Sequence, residues 1–196
     1  MTNSTYVPKP RELLPDWMVG LTDRVMNYYT KRYLNCEPVI LKNPPLPQEG
    51  HQYMLYAHVP FCHTLCTYCT FHRFLFKEWK AREYFQNLRK EMEYVKALGY
   101  DFTAMYVGGG TTTILEDELV KTLELAKKLF PSIKEISCET DPQVIMTPQF
   151  RNLQGLVDRM SIGVQSFNDE ILKLSDRYEK FGSGEQIYER LQYAQE

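Results

Sequence analysis

Three of the five cysteines of the chain lie close together, at Cys62, Cys66 and Cys69. Their spacing is C-x3-C-x2-C within the stretch HVPFCHTLCTYCTF, residues 58–71. Thiolates are soft ligands of the kind that zinc and iron–sulfur clusters take. In a reducing compartment, clustered cysteines indicate a metal or redox site more than disulfides. The cysteine stretch is therefore the first candidate for chemistry in this chain.

Three kinds of site remain compatible with these residues. Structural zinc could be held by the cysteines with His58, His63 or His72, although such sites usually draw their ligands from two separated pairs. A cysteine nucleophile with a histidine base would use one thiol and leave two unexplained. A 4Fe–4S cluster normally has four thiolate ligands, so three would leave one iron open to a substrate or cofactor. The number and softness of the ligands favour the cluster.

The remaining cysteines, Cys36 and Cys138, stand alone in the sequence. A lone cysteine usually behaves as a small buried apolar residue. We therefore expect both to be packing residues outside the site.

From Tyr53 onward, strand-like and helix-like segments alternate. Strands are predicted at residues 53–59, 102–107, 133–139 and 157–165. Helices are predicted at residues 77–99, 113–130, 148–153, 168–176 and 184–195. Capping boxes are predicted at Thr113-x-x-Glu116 and Ser183-x-x-Gln186. Four β-then-α units predict an α/β fold with parallel strands and right-handed crossovers.

Each predicted strand leads into an unusual motif. The cysteine stretch follows the first strand, and Gly108–Gly110 follow the second. Glu139 ends the third strand and Gln165 ends the fourth. Ligands bind at the carboxyl ends of parallel strands in α/β folds. We therefore expect the four motifs to line one rim.

Composition and the N-terminal region limit the possible partners and the cellular location of the protein. The net charge is −2, which gives no electrostatic reason to bind nucleic acid or anionic membrane. No apolar run approaches the ~20 residues of a membrane span, and the N-terminus lacks the pattern of a signal peptide. These features predict a cytoplasmic protein. The core domain is predicted at residues 53–196, and residues 1–52 are predicted as an extension before it. This extension contains a helical pattern from Trp17 to Tyr33 and a Pro-rich linker at 43–50.

The stretches YAHVPFC, YVGGGTTT, SCETDP and RMSIGVQSFNDEILKLSDR together resemble radical S-adenosylmethionine (radical SAM) enzymes. Within that family they look like the oxygen-independent coproporphyrinogen III oxidase branch, over about residues 53–180. The resemblance implies a partial (β/α) TIM-like barrel with about four βα units present. A full eight-unit barrel takes ~250 residues, so the chain looks like the N-terminal part of a longer protein.

The resemblance also implies cofactors and residue roles. A 4Fe–4S cluster would be bound by Cys62, Cys66 and Cys69, with S-adenosylmethionine on the open iron and reductive cleavage to a 5′-deoxyadenosyl radical. The other implied cofactor-binding residues are Tyr56, Tyr68, Gly109, Gly110, Thr111, Glu139, Gln165 and Arg177. Among them, Tyr56 would also lie near the reaction at the cluster rim, whereas Tyr68, with Phe71, would shield the cluster from water.

Simpler interpretations of the same residues stay open. The glycines could form a tight turn, and Glu139 could be a solvated or ion-paired carboxylate. Arg177 could pair with Asp176 or Glu179 at the surface. Tyr68 and Phe71 could simply be core aromatics.

The implied substrate is a tetrapyrrole, with oxidative decarboxylation of propionate side chains as the simplest reaction. The implied electron donor is a reductant such as flavodoxin or ferredoxin. Two departures leave other activities open. Phe71 stands where coproporphyrinogen oxidases carry a further cysteine, and Thr112 replaces the proline of GGGTPT. Haem chaperones and radical methyltransferases of the same branch are the alternatives, and a second S-adenosylmethionine site is undecided.

Overall fold

The computed structural model describes residues 15–34, 44–66 and 68–194. The chain divides into two compact units, Met1–Pro45 and Leu46–Glu196. In the first unit, the helical pattern that starts at Trp17 forms α1, Asp16–Tyr33, which buries none of its residues. Cys36 and the first residue of the predicted linker lie outside the described residues. Among the described helices, none is long and apolar enough to cross a membrane.

The second unit alternates strands and helices. Its strands are β1 Met54–Val59, β2 Phe61–Cys62, β3 Phe74–Leu75, β4 Ala104–Gly109, β5 Glu135–Thr140 and β6 Arg159–Ile162. Its α-helices are α2 Glu78–Ala97, α3 Glu116–Leu129, α4 Asp169–Leu174, α5 Tyr178–Phe181 and α6 Gly184–Tyr193. Two 3₁₀ segments, Val144–Met146 and Pro148–Leu153, lie between β5 and β6.

Four of the strands form one parallel sheet in the order β1–β4–β5–β6. The predicted α/β fold with four βα units is confirmed. The order of the strands is linear, so the described residues form part of a barrel wall and not a closed barrel. Since all four strands run in the same direction, their carboxyl ends meet at one edge of the sheet, as the motif pattern predicts.

Alternate residues of the strands face a hydrophobic core. Ala57 and Val59 of β1 are buried, as are Met105 and Val107 of β4. The helices contribute further fully buried side chains, Phe85 from α2 and Leu119, Leu123 and Ala126 from α3. The intervening residues of β1 and β4 then face the opposite side of the sheet. That opposite face carries Tyr56, His58 and Tyr106.

Helices α2 and α3 are joined by a cluster of charges around Glu118. This side chain is only 7% exposed, and its carboxylate accepts hydrogen bonds from Arg89 Nη2 at 2.6 Å and Lys121 Nζ at 2.9 Å. Burial raises the pKa of a carboxyl group, but the hydrogen bonds from Lys121 and Arg89 outweigh it and lower the pKa of Glu118. The charge therefore stabilises the packing of α2 on α3.

Three details differ from the sequence prediction. The strand predicted at 157–165 is shorter, because β6 ends at Ile162. Thr113 does not cap α3, since its buried hydroxyl pairs with Thr140 Oγ1 at 2.8 Å and the helix begins after Leu115. The helix predicted at 168–176 ends at Leu174, and a separate short helix, α5, follows it. The second capping box, at Ser183 before α6, is confirmed.

Candidate cofactor-binding site

The cysteine loop, residues 62–73, is closed at its base by a short parallel pair of strands. Phe61 and Cys62 of β2 pair with Phe74 and Leu75 of β3, and Phe76 N donates to Cys62 O at 2.9 Å. This two-residue ladder has no periodic signal in the sequence and was not predicted. It fixes both ends of the loop beside the carboxyl end of β1.

The three thiols of the loop are free and half-buried. Burial raises the pKa of the Cys62 thiol, although hydrogen bonds from Thr111 and the charge of Arg73 act in the opposite direction. Within the described part of the chain, no three His, Cys, Asp or Glu side chains are gathered closely enough to hold a single metal ion. The donor set, three soft and accessible sulfurs on one loop, nevertheless fits a cluster ligated by thiolates, because metal binding can complete the folding of its own ligands.

The glycine stretch Gly108–Gly110 lies directly against the cysteine loop. Gly110 N donates to Val59 O at 2.8 Å, and Thr111 N donates to Phe61 O at 2.7 Å. A Cβ on Gly110 would lie 2.5 Å from Phe61 O and 2.9 Å from Cys62 Sγ. Position 110 therefore requires glycine because Phe61 and Cys62, at the start of the cysteine loop, lie too close for a Cβ. The sequence alone did not predict this contact.

Glu139 is held by two donors at the end of β5. Tyr106 OH donates to its Oε1 at 2.7 Å, and Gly109 N donates to its Oε2 at 3.0 Å. The hydrogen bond to Glu139, together with burial, raises the pKa of Tyr106. Glu139 therefore faces the glycine stretch, and both of these hydrogen-bond donors are uncharged groups.

Tyr56 and His58 extend this polar face along β1. Tyr56 stacks on Tyr106 with ring centroids 6.1 Å apart, and its hydroxyl lies 3.0 Å from His58 Nδ1. Burial and the nearby Glu139 charge raise the pKa of Tyr56. Sequence reasoning missed His58 and Tyr106 as members of this face. The alternation of small or aliphatic residues with tyrosine and histidine along β1 and β4 was the sequence signal that could have identified them.

Arg177 lies beside the cysteine loop. It is only 5% exposed, and its Nη1 donates to Tyr68 OH at 3.0 Å while its Nη2 donates to Gly163 O. Its guanidinium also stacks 4.2 Å from the centre of the Phe181 ring. Its hydrogen bonds among the described residues thus go to Tyr68 and Gly163 and not to Asp176 or Glu179. The interpretation of Arg177 as a surface ion-pair partner is wrong.

Three other residues named in the sequence prediction, Gln165, Tyr68 and Phe71, are exposed in the structure. Gln165 lies beyond β6, is exposed and has a left-handed backbone with φ of 71°. The prediction that Gln165 ends the fourth strand is therefore wrong, because β6 ends at Ile162. Phe71 is 72% exposed and Tyr68 is 45% exposed, so neither is a core aromatic.

Thr112 and Cys138 form a buried contact behind the site. The Thr112 hydroxyl donates to Glu139 O and lies 3.0 Å from Cys138 Sγ. Cys138 is fully buried, which is the main reason that its pKa rises to about 11, and the expectation of a packing cysteine is confirmed. Thr112 thus uses the position of the family's proline to tie the glycine stretch to the strand that carries Glu139.

Comparison with known proteins places the chain in a family. The Radical SAM superfamily matches residues 56–196. The heme chaperone HemW of Bacillus subtilis is 33% identical over 132 residues, which cover 64% of this chain and 35% of HemW. The oxygen-independent coproporphyrinogen III oxidase of Escherichia coli K12 is 33% identical over 130 residues, which cover 63% of this chain and 28% of the oxidase.

A solved structure agrees with these sequence matches. The structure described as coproporphyrinogen III oxidase (HemN) from Escherichia coli, a radical SAM enzyme, superposes with a TM-score of 0.62 at 28% identity. The match covers 74% of this chain and 34% of that one, so the chain spans about a third of the length of the relatives it matches. The chain belongs to the radical SAM superfamily, whose cofactors are a 4Fe–4S cluster and S-adenosylmethionine.

Proposed function

We propose that Cys62, Cys66 and Cys69 bind the 4Fe–4S cluster and that the face opposite the core binds S-adenosylmethionine. The observation that carries this proposal is that the cysteine loop, the glycine stretch and Glu139 are held against one another. Gly110 N and Thr111 N donate to the carbonyls of Val59 and Phe61, which lead into the cysteine loop, and Gly109 N donates to Glu139. One site therefore contains soft sulfur donors, a close backbone approach and an oriented carboxylate.

The cofactors, when bound, would supply the radical chemistry, and the residues of the chain bind and orient them. Glu139 would accept hydrogen bonds from the ribose hydroxyls. Gly109, Gly110 and Thr111 would line the methionyl portion, where the lack of a Cβ permits close approach. Tyr56 would cover the adjacent face, and Arg177 and Tyr68 would fix the cysteine loop. Gln165 would lie at the same edge of the sheet, beyond β6.

Anaerobic reconstitution tests the ligand assignment. The chain should take up about four iron and four sulfide per molecule. Cys66→Ala should lose the cluster, because two thiolates remain, whereas Cys138→Ala should keep it as a matched cysteine control. Stoichiometric zinc without iron uptake would contradict the proposal, as would a Cys66→Ala protein with normal iron content.

The assignment of Glu139 is tested on the reconstituted protein. Glu139→Ala should retain the cluster but weaken binding of S-adenosylmethionine by roughly 1–3 kcal/mol, the cost of leaving polar partners unmade. Calorimetric titration measures this difference directly. Normal affinity in Glu139→Ala would show that the ribose binds elsewhere.

We further propose a tetrapyrrole as the substrate class, with propionate decarboxylation as the reaction of the whole protein. Its support is the similarity to the oxygen-independent coproporphyrinogen III oxidases. The proposed electron donor is a small reductant such as flavodoxin or ferredoxin. Product analysis with coproporphyrinogen III and a chemical reductant tests the reaction, and S-adenosylmethionine cleavage without porphyrin product would contradict the decarboxylase assignment.

A haem-binding function is the second candidate, and a cavity favours it. The cavity has a volume of about 580 Å³ and is lined by His58, His72, Trp79, Lys77 and Lys80, among other residues. Imidazole can ligate haem iron, aromatic walls suit a flat macrocycle, and lysines can pair with propionates. HemW, a relative at 33% identity, is a heme chaperone. Stoichiometric haem binding that His72→Ala weakens, without porphyrinogen turnover, would favour this candidate.

A further inference from the structure

Two cations contact Cys66 from different parts of the chain. Arg73, at the end of the cysteine loop, donates from Nη2 to Cys66 O at 2.5 Å and to Cys69 O at 2.8 Å. Lys180, on α5, places its Nζ 3.8 Å from Cys66 Sγ. Both side chains are half-buried. Neither residue was singled out by the sequence motifs.

The contacts of Arg73 restrain the turn between two proposed ligands. One nitrogen bridges the carbonyls of Cys66 and Cys69, and Cys69 N also donates to Cys66 O at 3.2 Å. The Nε of Arg73 is buried and has no hydrogen-bond partner among the described residues. A buried nitrogen without a partner costs free energy, so the bridge from Nη2 to both carbonyls is made despite an unfavourable contribution from Nε.

Lys180 has a position that is fixed by its surroundings. Its neighbour Phe181 is buried, and Arg177, directly before α5, is hydrogen-bonded to Tyr68 of the cysteine loop. The α5 segment is therefore attached to the loop on the side of Tyr68. This attachment brings the ammonium group of Lys180 to the sulfur of Cys66, across 114 residues of sequence.

We propose that Arg73 and Lys180 are positioning residues that hold Cys66 and set the reduction potential of the cluster. Arg73 maintains the turn between Cys66 and Cys69, and Lys180 directs an N–H and a positive charge at the Cys66 sulfur. Reduction adds a negative charge, which nearby cations and hydrogen bonds to sulfur stabilise, so both residues raise the potential. This inference rests on the proposed assignment of the three cysteines as ligands.

Four substitutions separate charge from hydrogen bonding. Lys180→Met should keep the iron and sulfide content and lower the midpoint potential, whereas Lys180→Arg should restore it. Arg73→Gln should lower the potential and also speed iron loss to a chelator by about threefold or more. Arg73→Lys should keep the potential near its original value but still lose iron faster, because an ammonium group does not bridge both carbonyls in the fixed geometry of a guanidinium.

Lys173→Met is the matched control. Lys173 lies in the same part of the chain and is exposed, with its ammonium 4.8 Å from the centre of the Tyr178 ring. The control makes the same change in net charge, so it should leave the midpoint potential of the reconstituted chain unchanged. A redox titration monitored by EPR measures the midpoint potential of the cluster, and it requires no measurement of enzymatic turnover.

The outcomes distinguish this inference from the proposed function. If the unaltered chain takes up no iron, the ligand assignment fails and the inference fails with it. If iron uptake is normal and Lys180→Met has the potential of the unaltered chain, or matches a shift in Lys173→Met, the proposed role of Lys180 is wrong. If both Arg73 variants retain iron as the unaltered chain does, the proposed role of Arg73 in the turn is wrong.

Discussion

Gly110→Ala should damage the cysteine loop directly. The new methyl group would lie 2.5 Å from Phe61 O and 2.9 Å from Cys62 Sγ, whereas real Cβ atoms stay beyond 3.0 Å. The carbonyl oxygen must therefore move by at least about 0.5 Å, which also strains its hydrogen bond from Thr111 N. We expect the variant to fold with a displaced Cys62 and a weakened cluster site.

The magnitude follows from two contributions. Overpacking of this kind costs about 1–3 kcal/mol, and a weakened hydrogen bond adds about 0.5–1.5 kcal/mol. A total of about 1.5–4.5 kcal/mol is less than the stability of a typical domain and corresponds to a fall in Tm of roughly 3–18 °C. Because Cys62 is a proposed cluster ligand, its displacement should reduce the apparent affinity for iron under chelator competition by about tenfold, equivalent to ~1.4 kcal/mol.

The assay combines thermal unfolding of the apoprotein with iron analysis after reconstitution. Gly163→Ala is the control, because its added Cβ would meet its nearest atoms at 3.7 Å, an ordinary contact distance. The control should keep both Tm and iron content. A Gly110→Ala protein with the Tm and iron content of the unaltered chain would refute the packing of the glycine stretch against the cysteine loop.

Substitutions at three further positions test other contacts. Glu118→Gln should cost about 1.5–3 kcal/mol at pH 7 by urea unfolding, because the hydrogen bonds from Arg89 and Lys121 lose their charge. These bonds, opposed by burial, lower the folded pKa of Glu118, so the stabilisation is complete above its ordinary pKa of 4.5 and disappears as pH falls through the folded pKa. A Glu118→Gln protein whose stability depends on acid pH in the same way as that of the unaltered chain would contradict this. Tyr106→Phe should keep its iron but weaken S-adenosylmethionine binding by about 2- to 12-fold, and unchanged affinity would show that Glu139 needs no such support. Thr112→Val should destabilise the chain by about 1–3 kcal/mol in urea unfolding and Thr112→Ser should recover most of it, whereas equal stability would mean that the buried hydroxyl contributes nothing.

The sequence predicted the features that depend on local pattern. The cysteine spacing identified the loop, and the alternation of strands and helices predicted the parallel sheet and the edge at which the motifs meet. These predictions succeeded because β4 and β5 place apolar residues in the core at alternate positions, Met105 and Val107 in β4 and Ile136 and Cys138 in β5, and because the helix α2 carries apolar residues at helical spacing.

The features that the sequence did not predict depend on contacts between distant residues. Thr113 has the spacing of a helix cap, but the fold buries it against Thr140, and the cap is lost. Thr112 departs from the family pattern at a position where its hydroxyl donates to the carbonyl of Glu139, a contact that the sequence does not show. Lys180 has no motif at all, and only tertiary packing brings it to Cys66.

The long sequence separation of these contacts has a consequence for biosynthesis. Arg177 reaches Tyr68 across 109 residues, and Lys180 reaches Cys66 across 114 residues. Because ribosomes add about 5–20 residues per second, the cysteines are made roughly 5–23 seconds before their distant partners. During that interval the nascent thiols are open to oxidation or to a competing metal. Delivery of iron and sulfide is therefore best timed after residue 180 has been synthesised and α5 has folded against the loop.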